Sequence, residues 1–234
     1  MKILAMESSA ITASVAVCED EKLLAEYTVN NGNTHSENLL PMAESILSFL
    51  GITAEDVDLF AVSAGPGSFT GVRIGVSTVK GLAFGTEKPC IGVSTLEALA
   101  YNLQCTNGLI CPVMNARRRQ VYTALFRAEN GTLTRMMEDS AISVEELGEK
   151  LAEYGEPIYL TGDGFDLVKN ALPTLPFAYT QDKLRYQSAA SVATAALAAY
   201  HEGVRTTHRE LAPTYLRPCQ AERERAERLK NEGN

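Results

Sequence analysis

The feature that most restricts how this 234-residue chain can fold is that it states one plan twice. Residues 2–7 form a short apolar strand that ends on Glu7 and runs into a small-residue turn, Ser8-Ser9-Ala10. A second strand spans 13–18, the charged turn 19–22 follows, and a third strand covers 23–29. Residues 109–114, 120–127 and 133–137 repeat the three strands, with Asn115 standing where Glu7 stood and Glu129-Asn130-Gly131 making the second turn. In both halves the three strands lead to a helix, an apolar strand and another helix. The first such helix, 36–50, carries Leu39, Leu40, Ala43, Ile46, Leu47 and Leu50 at three- and four-residue steps, which marks one face, and Gly51 ends it. Met42 and Phe49 lie off that stripe and predict apolar surface beyond what one face can bury. The matching helix, 144–154, stops at Gly155 and Pro157, and strand 157–160 then meets the turn Thr161-Gly162-Asp163-Gly164.

The repeat divides the chain into a first lobe, 1–105, a second lobe, 106–217, and a charged tail, 218–234. The alanine-rich helix 188–200 is built for close packing and is able to return to the first lobe. In the tail Glu224 and Arg228 stand four apart, as on a solvated helical end.

Residues 59–64 read as a buried strand that empties through Gly65-Pro66-Gly67-Ser68-Phe69-Thr70-Gly71-Val72-Arg73-Ile74-Gly75 into a helix reaching about residue 84. Unpaired backbone N–H groups at such a junction suit an anion or a close partner. The spacing is neither the dinucleotide pattern nor a P-loop, since no Gly-Lys-Ser/Thr follows. The small residues Gly71, Gly75, Ser77, Thr78 and Gly81 would let another helix approach this one.

Charge narrows the partners. Residues 1–110 carry five basic against twelve acidic side chains, a front half that repels polyphosphate. The cluster Arg117-Arg118-Arg119 reads as a solvated turn between strands. Five cysteines without a C-x-x-C pair read as reduced thiols of a cytoplasmic protein. No run approaches the roughly 18 apolar residues of a membrane helix, and the early acid Glu7 reads as a strand end, not part of a leader.

Three strands, helix, strand, helix, duplicated, resembles the sugar-kinase and actin superfamily. This implies an α/β fold of two ribonuclease H-like lobes, mixed sheets flanked by helices. Ile3 to Ser9, His35-Ser36-Glu37-Asn38-Leu39-Leu40-Pro41, the string 65–75, Asn115-Ala116-Arg117-Arg118, Gly162-Asp163-Gly164 and Pro213-Thr214-Tyr215-Leu216-Arg217 fall in one order, and together resemble the TsaB (YeaZ) family. The resemblance covers the chain to about Arg217. It implies an accessory subunit, without catalytic residues of its own, in forming N6-threonylcarbamoyladenosine beside the tRNA anticodon. It implies pairing with a TsaD-like catalytic subunit, a TsaE-like ATPase as third component, a homodimer when the partner is absent, and only indirect contact with tRNA. The partner face it implies is Leu39, Leu40, Ala43, Ile46, Leu47, Thr70, Arg73, Ile74 and Ser77, with Arg73 either a partner contact or an internal salt bridge.

TsaD-like enzymes hold a metal through two histidines one helical turn apart. His35, His201 and His208 offer no such pair, so no metal is expected here. The superfamily's nucleotide site would draw on Glu7, Ser8, Ser9, Gly65, Gly67, Asn115, Gly162 and Gly164. Asn115 supplies no charge to a hard cation, so the expectation is that this chain alone holds no nucleotide, with ATP or ADP entering only at the complex. The alternative is an independent enzyme, a small-molecule kinase or a peptidase using Ser68 with His35. Asn115 breaks the kinase's carboxylate pair, and no nucleophile elbow surrounds Ser68.

Overall fold

The structure is a computed structural model, and it describes residues 1–30, 32 and 34–217. The tail reading and Cys219 lie outside the described residues.

Each half builds one five-stranded mixed sheet. In the first, β1 (Lys2–Glu7), β2 (Ala13–Glu19) and β3 (Lys22–Val29) run antiparallel, and β4 (Leu59–Gly65) and β5 (Cys90–Ser94) add in parallel, in the order β3-β2-β1-β4-β5. In the second, β6 (Gly108–Asn115), β7 (Gln120–Glu129), β8 (Thr132–Ser143), β9 (Ile158–Thr161) and β10 (Phe177–Ala178) repeat this as β10-β9-β6-β7-β8. Helices α1 (His35–Leu50) and α2 (Phe69–Thr86) occupy the positions that α4 (Val144–Ala152) and α5 (Phe165–Ala171) occupy in the second half. The duplicated plan is therefore the architecture of the molecule, an α/β fold of the class the sequence implied. Strand β8 runs six residues past Met137, and β5, β10 and α3 (Thr95–Tyr101) are further elements.

β1 and β4 read as near-continuous apolar runs because both faces of their sheet are covered. On one face α1 and α2 bury Leu39, Met42, Ala43, Ile46, Val72, Val76 and Val79 against Leu4, Met6, Val15 and Phe60. On the other, α6 (Ala189–His201) lays Ala189, Val192, Ala193 and Ala196 on Ile3, Ala5, Leu59 and Ala61. Alanines permit this close approach, and Ser188 caps the helix by accepting from the Ser191 N–H. In exchange, α3 keeps Ala98 on the first sheet but buries Leu96, Leu99 and Ala100 with Ile110, Met114 and Phe126 of the second.

The lobes are tied by polar contacts as well. Arg135 on β8 reaches Glu97 on α3 at 3.0 Å and Asp139 at 2.6 Å while lying 4.6 Å over the Phe126 ring. The Asn102 amide donates to the carbonyls of Leu184 (3.1 Å) and Tyr186 (2.8 Å), and Ser191 Oγ donates to its oxygen at 2.5 Å. Among the described residues no helix is long and apolar enough to cross a membrane.

Candidate functional site

Two regions carry the residues picked out from the sequence: the ends of β1, β4, β6 and β9, and the outer side of the α1–α2 pair. Glu7 ends β1 fully buried. Its carboxylate accepts from the Ser9 N–H at 2.5 Å, from Ser9 Oγ at 2.6 Å and from Ser63 Oγ. Burial pushes this carboxyl above the ordinary range, and the hydrogen bonds from Ser63 and Ser9 oppose that rise without cancelling it. Ser8, also buried, donates its hydroxyl to the Gly71 carbonyl at 2.9 Å. Ser8 thus ties the β1–β2 turn to α2, and Glu7 ties it to Ser9 and to Ser63 on β4.

The glycine turns are filled in the same way. A Cβ on Gly65, whose φ is +122°, would fall within 3.0 Å of the Thr214 carbonyl oxygen; one on Gly67 would do so with Ser9. Gly162 (φ +104°) meets the Val113 carbonyl as closely, and the Gly164 N–H donates to that oxygen at 3.0 Å. The need for glycine at these places comes from the close approach of the protein's own chain. Asn115 is exposed, and its side-chain oxygen accepts from the Arg117 N–H at 2.8 Å. Beside it, burial raises the Asp163 carboxyl despite a hydrogen bond from the Asn115 backbone. The eight residues the superfamily would bring to a nucleotide thus sit on the ends and turns of β1, β4, β6 and β9. No three His, Cys, Asp or Glu side chains among the described residues come together as a metal site.

Ser68 and His35 do not form a nucleophile and base. Ser68 Oγ caps α2 by accepting from the Gly71 N–H, and His35 Nε2 lies 2.8 Å from the Ala10 carbonyl. The cap of α1 is Thr34, whose N–H and hydroxyl both donate to Glu37.

The helix pair corrects several expected partner residues. Leu39, Ala43, Ile46 and Leu47 are buried against the first sheet, and so is Met42, because the stripe of α1 is spent on the protein's own core. Gly71 and Gly75 pack on Ser8, and do not await another helix. Arg73 is held internally: its Nε donates to the Tyr215 hydroxyl at 2.8 Å, and its guanidinium lies 5.5 and 5.8 Å from the Tyr215 and Phe69 rings, themselves stacked at 4.6 Å. What the pair presents outward is Leu40 (46% exposed) and Phe49 (80%) on α1, with Thr70, Ser77, Gly81, Phe84 (67%) and Gly85 on α2 and Ile74 half-buried beside them. A Cβ on Gly81 or Gly85 would meet nothing within 4 Å. Phe84 was legible as an apolar residue near the helix end, but only the structure shows which way it points.

Arg117, Arg118 and Arg119 form the β6–β7 turn, all at positive φ (62°, 53° and 58°) and all exposed, with Arg119 paired to Glu145 at 2.6 Å.

Fold and site together define an α/β protein of two like halves, each a five-stranded mixed sheet flanked by helices, with glycine turns packed closely on the protein's own backbone. The family model described as TsaD, tRNA N6-adenosine threonylcarbamoyltransferase, matches residues 22–224. The tRNA threonylcarbamoyladenosine biosynthesis protein TsaB of Bacillus subtilis is 36% identical over 172 residues, 74% of this chain and 75% of that protein. Its counterpart in Escherichia coli is 34% identical over 168 residues, 70% of this chain and 72% of that one. The solved structure of YeaZ from Pseudomonas aeruginosa superposes with a TM-score of 0.81 at 26% identity, covering 92% of this chain and 99% of that one. The chain belongs to the TsaB (YeaZ) family, within the wider TsaD-like group.

Proposed function

We propose that this chain is a non-catalytic subunit of the assembly that forms N6-threonylcarbamoyladenosine in tRNA, docking through the outer face of α1 and α2 onto a TsaD-like catalytic subunit. The pathway comes from the relatives, which are named for biosynthesis of that modification. The observation that carries the role is the helix pair. Its inner stripe is used by the first sheet, yet Leu40 and Phe49 on the two flanks of α1 and Phe84 on α2 stay exposed, and Gly81 and Gly85 stand open on the helix that carries Phe84. Large apolar side chains next to small ones are what a helix-on-helix interface requires. Alone, the same face pairs two copies of the chain about a twofold axis, and the heterodimer competes with that homodimer.

The reading extends to the other components. With Glu7 tied to Ser9 and Ser63, and Gly65, Gly67 and Gly162 packed on backbone, this chain by itself binds no nucleotide. ATP or ADP acts at the assembled complex, together with a TsaE-like ATPase. The acidic front half leaves tRNA mainly to the other subunits, in the cytoplasm.

The test is size-exclusion chromatography with light scattering on the chain mixed with its cognate TsaD-like subunit, repeated with Leu40→Glu and Gly81→Leu. A one-to-one complex weakened by about 2 kcal/mol, on the order of thirtyfold, in either variant is the expected result. Failure to form a complex, with or without nucleotide and the ATPase, would falsify the reading.

A further inference from the structure

Where the α2–β5 turn meets the segment that follows α6, a cavity of about 530 Å3 is lined by Glu87, Lys88, Arg205, Thr207, His208 and Arg209, among others. Its floor is fixed. The Thr206 carbonyl accepts from the Cys90 N–H at 3.0 Å, and the Thr206 hydroxyl donates back to the Cys90 carbonyl, so this segment is laced to the edge of β5. Thr207 donates its N–H (2.8 Å) and hydroxyl (2.9 Å) to Glu210, which keeps that carboxylate engaged in its own turn. Arg205 is preorganised: Nη1 donates to the carbonyls of Tyr200 (2.5 Å) and Val204 (2.7 Å), and its guanidinium rests 3.2 Å from the centre of the Tyr200 ring. Lys88 and Arg209 pair with no carboxylate at ion-pair distance among the described residues, so three cations face one lining carboxylate, Glu87.

Cations gathered at a hollow call for an anion. A small free anion is held by being enclosed, with buried donors aimed at it. Here Arg205 and Arg209 are exposed, and Lys88 and His208 half-buried. Charges at a solvent-facing rim suit one phosphate in a series, held from outside as nucleic-acid backbones are. Position agrees: His208 packs edge-on against Phe84 with centroids 5.1 Å apart, and Phe84 belongs to the outer face of α2. The hollow therefore continues the docking face at the C-terminal end of that helix.

We propose that this pocket seats a backbone phosphate of the tRNA, a direct contact made by this chain within the assembly; it rests on the function proposed above. The experiment is a salt titration of fluorescently labelled, unmodified tRNA by fluorescence anisotropy, using the complex of this chain with its TsaD-like subunit. The Lys88→Ala/Arg209→Ala double variant should make the log-log salt slope shallower by roughly 0.7–0.9, one phosphate's worth, and weaken binding roughly five- to eightfold at about 0.1 M salt. An unchanged slope overturns the proposal. So does an equal loss in Lys150→Ala/Lys169→Ala, which removes the same charge from the second lobe. Inorganic phosphate that raises the melting temperature of the chain while the tRNA slope stays unchanged marks a free-anion site and overturns it too. Light scattering on the same samples separates the two readings. If wild-type chain forms no complex, the docking role fails, and the same pair of variants titrated as free chain decides whether the pocket holds RNA.

Discussion

Gly71 and Gly81 lie on the same helix, and the structure assigns them opposite roles that one experiment can separate. A methyl group on Gly71 would fall within 3.0 Å of the Ser8 carbonyl oxygen, 3.1 Å from His35 Cδ2 and 3.2 Å from the Ser8 carbonyl carbon. The obstruction is mostly backbone, so relief requires the start of α2 to retreat from the β1–β2 turn. Overpacking of this kind costs about 1–3 kcal/mol, and the Ser8 hydroxyl to Gly71 carbonyl hydrogen bond, worth about 1 kcal/mol, is strained with it. Alanine returns up to about 1 kcal/mol of helix propensity. The net expectation for Gly71→Ala is a loss of about 1–3 kcal/mol, a fall in Tm of roughly 2–12 °C for a chain of this size. At Gly81 the same methyl meets nothing, so only the propensity gain of about 0.5–1 kcal/mol remains, and Tm should rise by roughly 1–4 °C. Differential scanning calorimetry of the two single variants reads both signs. A neutral or stabilising Gly71→Ala would refute the close-packing account of the glycine string; a destabilising Gly81→Ala would show that α2's outer side is already engaged within the chain.

Glu7→Gln keeps the size of the side chain and removes its charge. Because burial holds the folded carboxyl above 4.5, the unfolded chain ionises first as pH rises, and wild-type stability declines through the window from 4.5 upward to the folded value. The variant should therefore gain on wild type as pH rises above about 4.5 in urea titrations, and a constant difference would contradict the burial argument. Arg135→Ala cuts the link between β8 and α3 and should cost about 1–3 kcal/mol, seen as faster amide exchange in α3 than in α1. In a Cys219→Ser background, Cys105 should react promptly with a thiol reagent. Cys111, whose thiol burial pushes up to about 12, and Cys18, raised to about 11, should wait for unfolding.

The duplicated plan was legible because strand and helix periods are local, and the two copies vouch for each other. So was the stripe of α1. Its destination was not. Leu39, Ala43, Ile46 and Leu47 look the same in sequence whether they face the protein's own sheet or another protein, and only the position of the sheet decides. Gly71 and Gly75 misled for a related reason: a helix of small residues announces a close approach without naming what approaches, and here it is Ser8, more than sixty positions earlier. The third strand was expected only to Met137, yet residues 138–143 continue β8, with Asp139 engaged by Arg135 and by Ser94 of β5. The pocket below α2 joins residues 87–89 to 205–209, a pairing that no local pattern encodes.

The exchange of α3 and α6 between the halves has a consequence for how the molecule is made. The face of the first sheet formed by Ile3, Ala5, Ala16, Leu59, Ala61 and Ile91 is covered by a helix that arrives about 100 residues after β5. At roughly 5–20 residues per second on the ribosome, that apolar sheet stands uncovered for some 5–20 s. The first lobe is therefore first to be synthesised and last to be finished, and through this interval the nascent chain exposes an apolar sheet face of the kind chaperones cover.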